Sequence, residues 1–136
     1  MSRENVRVVA TAIEVFNRRD IPALVDLSQT DLEIVSALTA ANLGGSTYRG
    51  VAHAWTEYFA AMNETWERWG IENADLRDAG DDRVACLCCL VGQGKQSGVP
   101  VERAVGIIFR LKDRKLWRIR SYLDPTEALQ AAGLSE

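Results

Sequence analysis

The sequence predicts an α+β domain whose helices pack against one face of a curved, mainly antiparallel sheet. Helical patterns dominate the first half of the chain, whereas apolar and polar residues alternate through most of the second half, as they do in strands. Charged or glycine-rich turns separate those strands, which is typical of antiparallel hairpins. Helices followed by a run of strands favour an α+β fold over the regular helix–strand alternation of a parallel sheet.

Three helices are predicted before the main run of strands. The first spans about Ser2–Arg18, with apolar residues at helical spacing. A short second helix has Asp20 as its cap and Pro22 in its first turn. The third spans about Val51–Trp66 and carries a wide apolar stripe. The stripe consists of Val51, Trp55, Tyr58, Phe59, Met62 and Trp66.

A first strand is predicted at Leu32–Leu38, and a short one is possible near Thr47 in the loop that follows. The later strands are predicted at Ile71–Arg77, Val84–Val91, Val101–Leu111 and Leu116–Leu123. The strand at Val84–Val91 is apolar on both faces, which indicates a central, covered position. Asp124, Pro125 and Glu127 form the start of a short C-terminal helix that Gly133 ends.

Composition limits the classes of function. A chain of 136 residues is expected to form one domain, 1–136, and its net charge of −3 argues against nucleic acid as a partner. No apolar run approaches the ~20 residues of a membrane-spanning helix, and the N-terminus lacks the apolar stretch of a signal peptide. Cys86, Cys88 and Cys89 are clustered in one strand, which favours a reducing cytoplasm and argues against a disulfide framework or a zinc site. No metal or other cofactor is expected.

Several segments, in this order, resemble the SnoaL-like family of the nuclear transport factor 2-like fold superfamily. They are Phe16-Asn-Arg-Arg-Asp20, Tyr48-Arg-Gly50, Gly80-Asp-Asp-Arg-Val84, Gly94 to Gly98, and Tyr122-Leu-Asp124 leading into Glu127-Ala-Leu129. The resemblance covers nearly the whole chain. It implies three helices and a bent sheet that form a cone around an internal pocket. It also implies possible enzymatic activity, because members of this fold include epoxide hydrolases and ketosteroid isomerases.

The same resemblance, with strand alternation, assigns side chains to the pocket. The side chains expected to face it are Ser121, Ile119 and Trp117, then Cys86, Cys88 and Leu90, and finally Arg103, Val105, Ile107 and Phe109. The catalytic Asp-Arg-Asp set of the epoxide hydrolases matches Leu90, Cys88 and Ser121, and the isomerase base matches Ser36. Neither Ser nor Leu can replace a carboxylate in acid–base chemistry, so neither of these two activities is expected.

The candidate ligand-binding residues are Tyr48, Trp55, Tyr58, Cys88, Leu90, Arg103, Phe109, Trp117 and Ser121. Arg103 either anchors a ligand carboxylate or lies at the mouth and extends into water. The tyrosines and tryptophans either hold a ligand or only pack in the core. Asn42 either orients a water molecule or belongs to a turn. Cys88 has no evident base and is most simply a packing thiol.

Two functions are compatible with these residues. The first is a SnoaL-like enzyme that acts on a small hydrophobic or polycyclic substrate by proton transfer, cyclisation or hydration. The alternative is a non-catalytic module of the same fold that binds a small apolar ligand or dimerises. A homodimer through the outer face of the sheet is expected, since that face combines small residues with a basic patch. These residues are Ala104, Gly106, Ile108, Arg110, Arg118 and Arg120.

Overall fold

The computed structural model describes residues 2–37 and 46–134, and it contains four helices and six strands in these ranges. The helices are α1 (Ser2–Asn17), α2 (Ile21–Asp26), α3 (Val51–Thr65) and α4 (Pro125–Ala131). The strands are β1 (Ser28–Ser36), β2 (Ser46–Arg49), β3 (Trp66–Gly80), β4 (Arg83–Gly94), β5 (Pro100–Lys112) and β6 (Lys115–Tyr122). The predicted helices are therefore confirmed, with α1 and α3 each ending one residue earlier than expected.

The six strands form one sheet in the order β2-β1-β6-β5-β4-β3. The strands β3 to β6 are consecutive antiparallel neighbours, as their short turns require. The strand β1 lies parallel to β6, with Ile34 opposite Ile119, and it pairs antiparallel with β2. The predicted α+β class with a mainly antiparallel sheet is confirmed.

Helices α1, α2 and α3 cover the inner face of this sheet. Their apolar stripes meet it in a core where Phe16 lies at the centre of an aromatic cluster. The Phe16 ring centroid is 5.2 Å from that of Phe59 and 5.3 Å from that of Trp69, and Trp55 and Tyr58 lie within 6.3 Å. Edge-on and tilted contacts of this kind stabilise a core beyond simple burial of area.

The helix starts follow the predicted caps. A carboxylate oxygen of Asp20 accepts a hydrogen bond from the Ala23 amide at 3.2 Å. Asp124 likewise accepts one from the Thr126 amide at 2.9 Å. Each cap precedes a proline in the first turn. A backbone N–H there would have no intrahelical acceptor, so proline loses no hydrogen bond. Local sequence therefore determines where α2 and α4 begin.

Strand β3 is longer than the predicted Ile71–Arg77 because it contains bulges. Its register against β4 shifts between Glu67 and Gly70 and again between Glu72 and Asp75. Arg68 and Asn73 have positive φ at these points. Bulges bend a strand and interrupt its alternation, which hides its full length in the sequence. Strand β1 also differs, because it begins at Ser28 instead of at Leu32.

Helix α4 packs on the outer face of the sheet over Gly106. A Cβ atom added at Gly106 would lie 2.4 Å from the Cβ of Ala128 and 3.3 Å from the Cα of Pro125. Glycine is therefore the residue that permits this close approach. Part of the small-residue surface expected to form a dimer contact is consequently covered by the chain's own helix.

Candidate functional site

A small, partly open cavity lies between the three helices and the inner face of the sheet. Its volume is about 40 Å³. The described residues that line it are Ala12, Ile13, Phe16, Leu24, Ile34, Val35, Trp55, Tyr58, Ile71, Ile107, Phe109, Ile119 and Ser121. Four of the predicted ligand-binding residues belong to this lining, namely Trp55, Tyr58, Phe109 and Ser121.

The polar groups of the lining, and their hydrogen-bond partner Ser36, are gathered where β1 and β6 end. The Tyr58 hydroxyl is hydrogen-bonded to the Ser36 side chain. The Ser121 hydroxyl lies 3.5 Å from that of Ser36 and accepts a hydrogen bond from the Ala37 amide at 2.9 Å. Ser36 was not among the residues predicted to bind a ligand. Its alternation with Leu32 and Ile34 on β1 is the signal that could have placed it on the inner face.

Tyr58 is the chemically distinctive side chain of this cluster. Burial raises the pKa of Tyr58 far above its ordinary value of 10.0. The hydrogen bond with Ser36 and the charge of Arg19 favour the ionised form, but burial outweighs both effects on the pKa. Tyr58 is therefore a neutral phenol at physiological pH. A neutral phenol donates a hydrogen bond and does not act as a base.

Trp55 contributes an apolar ring surface to the cavity. Its indole nitrogen donates to the Ser28 hydroxyl at 3.1 Å, and that hydroxyl donates to the Leu24 carbonyl at 2.7 Å. This buried chain satisfies the indole N–H within the protein. A ligand in the cavity would contact the ring face of Trp55, because the indole N–H of Trp55 already donates to Ser28.

The described lining contains no Asp, Glu, His, Lys or Arg side chain. Among residues 2–37 and 46–134, no group of three or more His, Cys, Asp or Glu side chains is arranged to hold a metal ion. In the same ranges, no helix is long and apolar enough to cross a membrane. The described lining offers hydroxyl hydrogen bonds and apolar surface, and no group that exchanges a proton near neutral pH.

Trp117 lies outside the cavity, so its predicted inward orientation is wrong. Arg110 pairs with Arg118, but the next residue, Leu111, pairs with Leu116, which leaves Trp117 as the extra residue of a bulge. Leu116 is fully buried in its place. The Trp117 indole donates to an Asp31 carboxylate oxygen at 3.2 Å in an exposed position. The bulge reverses the alternation from which the orientation was predicted.

Arg103 is also outside the cavity, and the prediction of a cation within an apolar pocket is wrong. It is opposite Leu90 in the register of β4 and β5, but its side chain is exposed. With Leu90 it lines a separate, open recess that also includes Ala37 and Trp66. The alternative considered from the sequence, a position at the mouth with the charge in water, describes this residue.

The remaining candidates lie beside the cavity. The Tyr48 ring is 5.8 Å from that of Tyr58 and is half-buried. Cys88 is buried on the inner face, and its hydrogen bond with Cys86 and burial together raise the pKa of the Cys86 thiol. The same hydrogen bond lowers the pKa of Cys88. Asn42 lies outside the described residues.

No family model matches the sequence, and no curated protein shows significant similarity to it. Solved structures do match. A nuclear transport factor 2-like protein from Burkholderia xenovorans LB400 is 24% identical, with a TM-score of 0.75 and 97% of each chain covered. TerC, co-crystallised with polyporic acid, is 18% identical with a TM-score of 0.76, over 96% of this chain and 98% of TerC.

SalBIII, an epoxide hydrolase/cyclase-like enzyme in pyran ring formation in the polyether salinomycin, is 21% identical. Its TM-score is 0.70, over 90% of this chain and 92% of SalBIII. At such identities the likeness concerns the fold and not the reaction. The helices, the sheet order and these matches lead to one conclusion: the chain has the nuclear transport factor 2-like fold.

Proposed function

We propose that the protein binds a small, neutral, apolar molecule with one carbonyl or hydroxyl oxygen in the inner cavity. The observation that carries this proposal is a neutral phenol, Tyr58, at the polar end of an otherwise apolar lining. The ligand oxygen would accept a hydrogen bond from Tyr58. The hydroxyl groups of Ser36 and Ser121 would rotate to complete the hydrogen bonds around Tyr58 and the ligand oxygen. An apolar wall with a few converging polar groups is the usual composition of a small-molecule site.

The volume of the cavity limits the ligand. One water molecule requires about 10–15 Å³ on this measure, so about 40 Å³ corresponds to roughly three water molecules. An engineered cavity that binds benzene has a volume of about 150 Å³. A compact ketone or alcohol is therefore the favoured class, and a polycyclic substrate would require α1 and α3 to move away from the sheet.

A second candidate function is ring closure of a small substrate. Solved structures of this fold include SalBIII, an enzyme in pyran ring formation, and TerC bound to polyporic acid. A neutral donor within an apolar cavity is compatible with this chemistry, because a hydrogen bond from Tyr58 can polarise an epoxide oxygen. The substrate's own hydroxyl then attacks the epoxide carbon as the epoxide C–O bond breaks, and the hydroxyl proton passes to the opened oxygen. Confinement by the apolar wall would supply the orientation.

The test is a comparison of Tyr58→Phe with the wild-type protein. Acetone and the hydrocarbon isobutene, which has nearly the same shape, would be titrated while amide NMR shifts are followed, with the Ala37 amide as reporter because it donates to Ser121. The variant is expected to bind the ketone about 3- to 10-fold more weakly, the effect of one lost hydrogen bond, and to bind the hydrocarbon unchanged. Tyr48→Phe is the matched control and is expected to leave both affinities unchanged.

Equal weakening of ketone and hydrocarbon binding by Tyr58→Phe would contradict the proposed role of the hydroxyl. If neither compound shifts the Ala37 signal in the wild-type protein, the cavity is not the binding site. Ring closure would be tested with hydroxy-epoxides, and turnover that Tyr58→Phe leaves unchanged would exclude Tyr58 from that reaction.

A further inference from the structure

The outer face of the sheet carries a row of arginines on neighbouring strands. Arg83 on β4 lies directly opposite Arg110 on β5, and Arg110 lies directly opposite Arg118 on β6. Directly opposed residues have Cβ atoms about 4.5–5.5 Å apart, where like charges destabilise the sheet. Three consecutive positions of one charge are therefore an unfavourable arrangement unless a negative group is present.

These arginines line a groove of about 250 Å³. Arg120, two residues along β6 from Arg118, contributes a fourth guanidinium. Ile108 and Val35 provide apolar floor, and Ala131 of α4 closes one side. The groove is thus a concave surface, and helix α4 gives it one wall.

The positive charge of the groove is only partly offset within the described part of the chain. No carboxylate lies within 4.0 Å of the guanidinium groups of Arg83, Arg110, Arg118 or Arg120 in residues 2–37 and 46–134. Glu33 is the only described acidic residue of the groove; it lies opposite Arg118 in the register of β1 and β6, but its carboxylate is paired with Arg49 at 2.7 Å. The chain as a whole has a net charge of −3, so a generally basic composition does not explain the surplus.

Neighbouring groups hold three of the four side chains in place. Arg83 donates to the carbonyls of Ala79 and Gly80. Arg118 donates to the Asp31 carbonyl at 2.9 Å, and its guanidinium lies 4.2 Å from the Trp117 ring centroid. Arg120 lies 5.3 Å from the Tyr122 ring centroid. Restrained guanidinium groups lose less side-chain entropy when an anion binds.

We propose that this groove binds a compact anion with two or more phosphate groups. Adjacent strands lie about 4.8 Å apart, so the row presents three guanidinium forks across roughly 10 Å. That width fits a diphosphate. Arginine forks match phosphate oxygens in paired hydrogen bonds, and the chain's net charge of −3 favours a small anion over a polyanionic polymer. The site is separate from the inner cavity and does not depend on the function proposed for it.

Calorimetric titration with inorganic pyrophosphate in metal-free buffer tests the proposal. The wild-type protein is expected to bind it at least tenfold more tightly than orthophosphate, with an affinity that falls as salt is added. Arg110→Gln and Arg118→Gln are each expected to weaken binding at least tenfold. Arg7→Gln, which removes the same charge from an exposed position on α1, is the matched control and is expected to change the affinity less than twofold.

Three results would overturn the proposal. The first is the absence of pyrophosphate binding, and the second is an equal loss of affinity in Arg7→Gln and Arg110→Gln, which would indicate nonspecific attraction. The third is binding to phosphatidylglycerol vesicles without any binding of pyrophosphate, which would assign the arginine row to a membrane surface. Retention of pyrophosphate binding in Tyr58→Phe is expected, because that variant changes only the inner cavity.

Discussion

The Tyr58 side chain illustrates how the surroundings of one residue determine its chemistry. A phenol in water ionises near pH 10, but buried among Phe16, Trp55 and Phe59 it loses the hydration that stabilises the phenolate. The Tyr58 hydroxyl therefore stays protonated and donates hydrogen bonds, whereas an exposed tyrosine could act as a phenolate base in strong alkali.

This burial makes stability depend on alkaline pH. The pKa of Tyr58 in the folded protein lies above its ordinary value of 10.0, so the unfolded chain releases the proton first. The stability contribution is fully present below pH 10 and is lost as pH rises above it. From pH 10 to 11 the wild-type protein should lose up to about 1.4 kcal/mol from this group. Urea unfolding of Tyr58→Phe should show a correspondingly smaller loss, and equal losses would contradict the assignment.

Asn17 joins α1 to the sheet by two hydrogen bonds. Its side-chain amide donates to the Ile71 carbonyl at 2.9 Å and accepts from the Ile71 amide at 3.0 Å. Asn17→Ala leaves both backbone groups without this partner, and we expect a loss of about 1–3 kcal/mol in the free energy of unfolding. Glu14→Ala, exposed one turn earlier on α1, should change it by less than about 0.5 kcal/mol. Equal effects would show that Asn17 does not link the two elements.

At the scale of whole elements, the sequence predicts the features that local chemistry determines. The caps of α2 and α4 and the aromatic stripe of α3 depend on residues within a few positions of each other, and they are found where expected. The predicted positions of Trp117 and Arg103 inside the pocket are wrong, for reasons that lie beyond local chemistry. A bulge reverses alternation at Trp117, and Arg103 lies where the sheet is no longer covered, neither of which is encoded in the strand's own residues.

The contact between α4 and the sheet gives a prediction about packing. Gly106→Ala places a methyl group against Ala128 and Pro125, and we expect a destabilisation of about 1–3 kcal/mol. In the double variant with Ala128→Gly, the loss should be smaller than the sum of the two single losses. Additive losses in thermal or urea unfolding would mean that α4 moves away without cost.

For the arginine row we predict a substitution that increases the stability of the protein. In the absence of an anion, Arg110→Gln should increase the free energy of unfolding by about 0.2–1 kcal/mol, because it removes a like charge opposite both Arg83 and Arg118. The gain should shrink as salt is added. A loss of stability at low salt would show that these charges are not in conflict.

At the scale of the whole molecule, a homodimer through the outer face remains our prediction, with the contact restricted to the part of that face that leaves Arg110, Arg118 and Arg120 free for an anion. Helix α4 leaves uncovered the end of that face that carries Leu87, Cys89 and Ala104, whereas Gly106 lies beneath it. Light scattering at tens of micromolar should give twice the monomer mass, and Ala104→Asp should shift it towards the monomer. A monomer mass for the wild-type protein would refute the dimer.

The parallel pairing of β1 with β6 has a consequence for synthesis of the protein. Ser36 and Ser121 meet across that pair although 85 residues separate them in the chain. At about 5–20 residues per second, a ribosome needs roughly 4 to 17 seconds to make this interval. During that time the aromatic side chains of α1 and α3 have no complete sheet to cover them. We therefore expect a nascent chain of this protein to present a transient binding surface for chaperones, which should disappear when β6 completes the sheet.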